Sequence, residues 1–159
     1  MFERYSHRAR ILIFLALDVA RKRGGDFIEL DDLLEAIIRE DQGEFPSMFA
    51  EAMQGAAASV TRAVRFFPET AAEALLATLD TRPRGLQIRS GDLPLSRDVK
   101  KALARAADNT GDGKTSVIEP LHLLEALVED PESRLAQLLR DNGITRQKVA
   151  AALAGPTAR

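Results

Sequence analysis

One loop of the chain carries the residue types and spacing of a calcium-binding loop. From Asp108 to Glu119, acidic residues stand at the first, fifth and twelfth positions (Asp108, Asp112 and Glu119), and Gly113 stands at the sixth. This is the ligand order of an EF-hand, and a predicted helix lies on each side. Thr110 occupies the third position and is a weaker ligand than a carboxylate. The alternative is a glycine-rich turn between two helices, so these acidic residues are weak metal candidates and no cofactor is predicted.

Other chemistry lacks the residues that it needs. Gly113-Lys114-Thr115 resembles the end of a phosphate-binding loop, but Asp108 stands where the first glycine is required, and a helix precedes it instead of a strand. The only histidines are His7 and His122, and there is no cysteine. Neither a nucleophile with its base nor a zinc site can be assembled from this set. The sequence therefore predicts a protein that is not an enzyme, and the lack of cysteine suits a reducing, cytoplasmic location.

Carboxylates are concentrated between residues 26 and 44. Eight acidic residues lie there against a single arginine, Arg39: Asp26, Glu29, Asp31, Asp32, Glu35, Glu40, Asp41 and Glu44. Leucines and isoleucines form one stripe of the predicted helix, so we expect Asp31, Asp32 and Glu35 to point away from the core. Two interpretations stay open: a solvated helix face, or a docking surface for basic, arginine-bearing partners.

The chain repeats itself at a spacing of 90 residues. Ile28-Glu29 followed by Leu33-Leu34-Glu35-Ala36 returns as Ile118-Glu119 followed by Leu123-Leu124-Glu125-Ala126. Ser6 likewise returns as Ser96, and the register holds without a gap from Ser6 to Glu40. A repeat of this kind indicates a duplicated structural unit. We therefore expect two related units with a surface between them, which favours a binding module over an enzyme.

Helical periodicity, together with residues that begin and end helices, predicts an all-α fold without a sheet. Ser6 and Ser96 are predicted N-caps, and Gly24-Gly25 ends the first helix. In the first unit, helices are predicted over residues 7–23, 30–40, 46–53 and 57–65. In the second unit, they are predicted over residues 97–109, 120–130, 132–142 and 146–154. The predicted domains are a first repeat over 1–65, a linker over 66–94 with a short helix at 68–79, and a second repeat over 95–155.

Size and composition set further bounds. The 159 residues, 45% of them apolar, can fill one core or two closely packed halves. A net charge of −2 provides no bulk field that would attract nucleic acid or a membrane surface. The apolar run Ile11 to Leu17 is seven residues long and ends at Asp18, so we interpret it as part of a buried helix.

The order of elements, given twice, resembles the double Clp-N domain at the amino terminus of Clp unfoldases. The opening Phe2-Glu3-Arg4-Tyr5-Ser6-His7-Arg8-Ala9 looks like the start of ClpC-type chains. The segment Ile118 to Val128 looks like the signature turn and Leu-Leu helix of the family, and Leu138 to Thr145 looks like its Gly-Ile-Thr step. The resemblance covers nearly the whole chain except about residues 66 to 92. It implies two tandem four-helix repeats related by a pseudo-twofold axis.

The chain departs from the family in the turn before the Leu-rich helix. The resemblance implies a role for this turn, because in ClpC-type domains a glutamate of the turn helps to hold phosphoarginine on marked substrates. The matching positions here are Asp31, which is still acidic, and Leu121, which cannot pair with a guanidinium. His122 keeps the histidine of the family. The resemblance thus implies that one of the two equivalent sites is lost.

These expectations combine into one functional hypothesis. The resemblance implies a monomeric, non-enzymatic module that docks adaptors or unfolded polypeptides for an AAA+ ATPase, with no nucleic-acid or membrane partner. The candidate binding residues are Asp31, Asp32, Glu35, Leu121 and His122. The acidic ones would steer basic partners, and Leu121 would contact an apolar side chain. The alternative is a calcium- or ligand-sensing helical switch that uses the loop from Asp108 to Glu119.

Overall fold

The computed structural model describes residues 3–44, 65–85, 87–110 and 117–154. Within these ranges the chain forms seven helices: α1 (His7–Arg23), α2 (Leu30–Gln42), α3 (Glu69–Asp80), α4 (Arg97–Asn109), α5 (Pro120–Glu129), α6 (Arg134–Asp141) and α7 (Arg146–Ala154). The only extended pairings there are two isolated bridges, so the all-α prediction is confirmed. The predicted helices at 46–53 and 57–65 fall on residues 45–64, which lie outside the described ranges. The predicted division into two repeats and a linker therefore stays a prediction.

The helix ends follow the caps that the sequence predicts. The hydroxyl of Ser6 accepts from the backbone N–H of Ala9, and that of Ser96 accepts from Val99. Gly24 ends α1 with φ +76°, a conformation that glycine adopts without strain. One prediction was wrong by two residues: α6 begins at Arg134 rather than Glu132, because Ser133 has an extended backbone and caps the helix instead.

Two short backbone pairings join the units and reveal their symmetry. Tyr5 pairs with Ile118, and Ile28 pairs with Leu95, both in the parallel sense. The partners exchange places when the numbering is shifted by the 90 residues of the repeat (the 90-residue operator), since Tyr5 corresponds to Leu95 and Ile28 corresponds to Ile118. Four hydrogen bonds repeat in the same way: Ser6 N to Ile118 O (3.0 Å), Ser96 N to Ile28 O (3.0 Å), Ile118 N to Arg4 O (2.8 Å) and Ile28 N to Pro94 O (2.9 Å). Each unit thus pairs the residues before its first helix with the turn of the other unit, about a pseudo-twofold axis.

The apolar core is shared by both units. The Leu-Leu helices α2 and α5 contact each other, α1 contacts α5, and its counterpart α4 contacts α2. Leu34 and its equivalent Leu124 are fully buried in this packing. Burial also raises the pKa of Tyr5, at the inter-unit bridge, to about 12. The two units therefore fold around one shared apolar core. No helix of the described residues is long and apolar enough to cross a membrane.

The start of the linker is anchored at the end of α2. The carboxylate of Asp41 at the end of α2 accepts from the backbone N–H groups of Phe66 (2.9 Å) and Phe67 (3.0 Å). The ring of Phe67 is buried and meets that of Phe66 edge to face at 5.2 Å. The Phe66-Phe67 pair therefore anchors the start of the linker in the core.

The loop after α3 lies against the end of α1. The N–H of Gly85 donates to the carbonyl of Arg23 at 2.7 Å, and the N–H of Arg89 donates to Arg21 at 2.9 Å. A Cβ on Gly24 would stand 2.6 Å from the carbonyl oxygen of Gln87, which leaves no room for a side chain. Glycine at this position therefore permits the close approach of the loop. Most of the described residues of the loop are exposed, and backbone hydrogen bonds hold the loop against α1.

Candidate functional site

The carboxylates of the acidic run of residues 26–44 are paired within the molecule. Seven of its eight carboxylates pair with arginines: Asp26 with Arg89, Glu29 with Arg23, Asp31 with Arg134, Asp32 with Arg23 and Arg82, Glu35 with Arg39 and Arg82, Glu40 with Arg8, and Glu44 with Arg39. The eighth, Asp41, accepts the two backbone N–H groups of the linker described above. All of these arginines except Arg39 come from outside the run. The run is therefore not an open acidic patch.

Asp32 forms the buried centre of this ion-pair network. The expectation that it points away from the core was wrong, because its side chain is 0% exposed. Arg23 reaches Asp32 with Nε at 2.9 Å and Nη2 at 2.7 Å, and Arg82 reaches it with Nη1 at 2.8 Å. The carboxylate also accepts from the backbone N–H of Glu29 at 2.9 Å, which completes a capping box at the start of α2. In this conformation Asp32 is inaccessible to a partner protein.

Arg82 links the linker to α2 through Asp32 and Glu35. Its Nη2 lies 2.9 Å from Oε1 of Glu35, while Nε of Arg39 lies 3.1 Å from the other oxygen. The side chain of Glu35 is only 14% exposed, so the carboxylate is largely shielded by the two guanidinium groups. Every buried side-chain nitrogen or oxygen in the described ranges has a hydrogen-bond partner, which such a network requires for stability.

The network forms one wall of a groove of about 640 Å³ in the first unit. Its apolar strip consists of the half-buried Val19 of α1 over the floor formed by Leu15 of α1 and Leu79 of α3, which are each 2% exposed. The rim alternates in charge: it carries Asp18, Lys22, Arg23, Glu35, Arg39, Glu44, Asp80, Arg82 and Arg84. A narrow apolar strip inside a charged rim is the arrangement of a protein–protein contact site, with an apolar centre and a polar edge. Of the five sequence-predicted binding residues, only Glu35 lines this groove.

Asp31 and Leu121 occupy equivalent positions near the starts of α2 and α5. The carboxylate of Asp31 accepts from Nη2 of Arg134, at 2.8 and 3.1 Å, so an arginine of the second unit already contacts it. Arg134 is 71% exposed, whereas the side chain of Asp31 is 14% exposed. Leu121 is half-buried and packs against the core from its edge. Both residues stay candidates for partner contact, although Asp31 is not a free charge.

His122 holds the start of α5 as Asp32 holds the start of α2. Its Nδ1 accepts from the backbone N–H of Glu119 at 2.9 Å, and the Glu119 carboxylate accepts from the backbone of His122 in return. The imidazole must be neutral at Nδ1 to accept this bond. Burial lowers the pKa of His122, and the nearby charge of Glu119 opposes the shift. The histidine therefore has a helix-capping role next to the inter-unit bridge at Ile118.

This arrangement predicts a pH-dependent stability. A lowered folded-state pKa means that the contribution of His122 is fully present above the unfolded value of about 6.5 and is lost as the pH falls below it. Between pH 7.5 and 5, the wild type should lose about 1 kcal/mol that His122→Gln retains, because glutamine accepts the same bond without titrating. Urea unfolding at both pH values measures this difference. Equal losses in both proteins would contradict it.

The geometry also bears on the calcium hypothesis. Glu119, the twelfth residue of the EF-hand-like spacing, uses its carboxylate to cap α5. Asp108 is exposed near the end of α4, and Asp112 lies in residues 111–116, outside the described ranges. Among the described residues, no group of three side chains is placed to hold a metal ion. Within residues 87–110 and 117–154, no contact adds support to the calcium-sensing alternative.

Sequence reasoning missed the arginines that complete the network. Arg82 and Arg134 lie 50 and 103 residues from the carboxylates that they contact, Asp32 and Asp31. Helical periodicity carries no information at such separations. One signal was available: Asp32 and His122 correspond under the 90-residue operator, and both stand three residues after a glutamate N-cap, which is the spacing of a capping box.

Comparisons with known proteins give a consistent result. The family described as Clp repeat (R) N-terminal domain matches residues 4–142 and, in a second overlapping match, residues 95–159. The chaperone protein ClpB of Nitratidesulfovibrio vulgaris is 24% identical over 149 residues, which are 92% of this chain and 16% of ClpB. The chain therefore spans about one sixth of the length of that relative.

Solved structures share the fold at low sequence identity. The N-terminal domain of the chaperone ClpD from Arabidopsis thaliana has a TM-score of 0.64 at 21% identity, with 97% of this chain and 98% of that one covered. The N-terminal domain of Hsp104 from Candida albicans has a TM-score of 0.64 at 15% identity, covering 95% and 89%. A structure from a malarial protein secretion system has a TM-score of 0.66 at 17% identity, covering 98% and 99%.

Proposed function

The chain belongs to the Clp repeat N-terminal domain family, and we propose that it captures adaptor proteins or unfolded polypeptides for an AAA+ ATPase. Domains with this fold are non-catalytic protein-interaction modules of Clp and Hsp100 chaperones. The chain spans only part of its ClpB relative, so the ATPase and the transfer of a polypeptide to it belong to the proposal.

The observation that carries this proposal is the groove between α1, α2 and α3. Val19 offers apolar contact at the surface of the groove, above the buried Leu15 and Leu79, and apolar side chains are what unfolded chains expose. Lys22 pairs with Asp18 at 3.0 Å and Arg84 pairs with Asp80 at 2.7 Å, and these rim residues are largely exposed except Asp18. Exposed pairs contribute little to stability, so they can exchange partners with a bound polypeptide at small cost.

Blocking the groove should abolish capture. Val19 is half-buried, so Val19→Arg places a long charged side chain across the apolar strip without disturbing the core. We expect affinity for a labelled, permanently unfolded polypeptide to fall by about tenfold or more, a loss of about 1.4 kcal/mol or greater. Fluorescence anisotropy measures it. Ala151→Arg on the exposed side of α7 is the matched control, and equal binding by both variants would remove the groove from the site.

The surface that carries Asp31 and Leu121 is the second candidate for partner contact. Asp31→Ala and Leu121→Ala, singly and together, should each weaken capture of the same polypeptide severalfold if a partner spans the starts of α2 and α5. Because the two positions correspond under the pseudo-twofold axis, the double variant tests whether a partner uses both units at once. Unchanged capture by the double variant would exclude both residues from the site.

Phosphoarginine recognition finds no added support at these positions. Asp31 already contacts a guanidinium, that of Arg134, and a marked arginine would have to displace it. Leu121 offers no carboxylate to the equivalent place in the second unit. The proposal therefore rests on apolar capture in the groove, with charged pairs at its rim.

A further inference from the structure

Three basic side chains cluster at the start of α4. Arg97, Lys100 and Lys101 are exposed, and their spacing puts the three side chains on one face of the first turns. In the part of the chain that the structure describes, none of the three forms an ion pair or a side-chain hydrogen bond. By comparison, eight arginines of the described residues form ion pairs with carboxylates: Arg8, Arg21, Arg23, Arg39, Arg82, Arg84, Arg89 and Arg134.

The helix itself adds to this charge. The amino end of a helix carries a partial positive charge, so cations in the first turns are repelled there. Asp98 is the one acidic residue in the first turn of α4. In contrast, the basic triplet of α1, Arg21 to Arg23, lies in its last turn, where the dipole favours it. A bound anion at the start of α4 would relieve the repulsion.

We propose that this cationic surface, defined by Arg97, Lys100 and Lys101, binds an acidic polypeptide segment of a partner protein. Carboxylates in a helical or extended segment supply several negative charges at the spacing of these side chains. Three cations on a chain of net charge −2 are too few for the wide basic field that nucleic acids require. The helix α4 carries no aromatic residue on which a base could stack.

This surface is separate from the groove, because no residue of α4 lines the groove. The inference therefore goes beyond the proposed function, and either one can fail without the other. A partner bound at α4 would leave the groove open for a second polypeptide.

Anisotropy with a labelled twelve-residue glutamate-rich peptide tests the proposal. The triple variant Arg97→Gln/Lys100→Gln/Lys101→Gln should weaken binding by about tenfold or more at low salt, where screening is weakest. The matched control Arg146→Gln/Lys148→Gln, which removes exposed cations from α7, should stay within about twofold of the wild type. A lysine-rich peptide should not bind.

Two outcomes would overturn the proposal. One is equal binding of the acidic peptide by the triple variant and the wild type. The other is a single-stranded RNA of equal charge that binds the wild type more tightly than the peptide does. The melting temperature of the triple variant should not fall, because the three cations oppose the helix dipole, so weaker binding cannot be attributed to unfolding.

Discussion

Asp32→Ala should lower the free energy of unfolding by roughly 3 to 5 kcal/mol, the largest effect that we expect from a charged residue. The substitution leaves Arg23 and Arg82, whose side chains are 15% and 14% exposed, without their buried carboxylate. It also removes the acceptor of the Glu29 N–H at the start of α2. For a chain of this length, the melting temperature should fall by roughly 6 to 20 °C. Thermal unfolding followed by circular dichroism measures the shift.

The neighbouring residue supplies the control. Asp31→Ala removes a carboxylate from the same turn, but its partner Arg134 is largely exposed, so the expected cost is about 1 kcal/mol or less. A double-mutant cycle with Arg82→Ala then measures how strongly Asp32 couples to the linker. Equal, small shifts for Asp31→Ala and Asp32→Ala would show that the network around Asp32 does not hold the fold.

Phe67→Ala should cost about 3 to 5 kcal/mol, because a fully buried aromatic side chain leaves a cavity that the core cannot close. The residue also positions the linker, since its N–H donates to Asp41 and its ring packs in the core. We therefore expect a second effect: faster tryptic cleavage after Arg65, which directly precedes the Phe66-Phe67 pair and donates to Gln42 at 3.3 Å in the intact structure. Urea unfolding and limited proteolysis measure the two effects separately.

Phe66→Ala is the matched control for that variant. The side chain of Phe66 is half-buried, and its N–H also donates to Asp41, so the substitution removes less apolar contact and leaves the backbone anchor intact. Its cost should be clearly smaller, about 1 to 2 kcal/mol. If both variants unfold at the same urea concentration, the linker does not depend on the buried ring.

Asp32→Ala and Phe67→Ala loosen opposite ends of the linker. Asp41 and Phe67 fix the beginning of the linker, while Arg82 fixes the residues after α3. Between these anchors, α3 contributes Leu79 and Asp80 to the groove. Loss of either anchor should therefore also reduce capture of unfolded polypeptides.

Local sequence signals were sufficient for most of the fold. Ser6 and Ser96 cap helices because a hydroxyl can satisfy an orphan N–H two or three residues ahead. Gly24 and Gly143 end or follow helices with φ of +76° and +82°, which glycine adopts readily. The 90-residue repeat predicted a pseudo-twofold arrangement, and the exchange of Tyr5 with Leu95 at the two bridges shows it.

The contacts of the acidic run could not be predicted from local sequence signals. Periodicity assigns a residue to a face of its own helix, and it places Asp32 opposite the leucine stripe of α2. That face is then covered by Arg23 from α1 and by Arg82 from the linker. The sequence therefore predicted a charged surface where the molecule has a buried ion-pair network. Four of the five candidate residues predicted from the sequence lie outside the groove.

By itself, then, the order of residues determined the helices, their caps, the duplication and the all-α family fold, because each depends on residues within a few positions or on a fixed repeat. The tertiary structure alone decided which charges stay available to a partner. Ion pairs between residues up to 103 positions apart occupy carboxylates of the acidic run of residues 26–44. The cations at the start of α4 stay exposed. The physical reason is that a side chain's solvent exposure and charge balance depend on what distant segments bring within a few ångströms of it, and no local pattern encodes that.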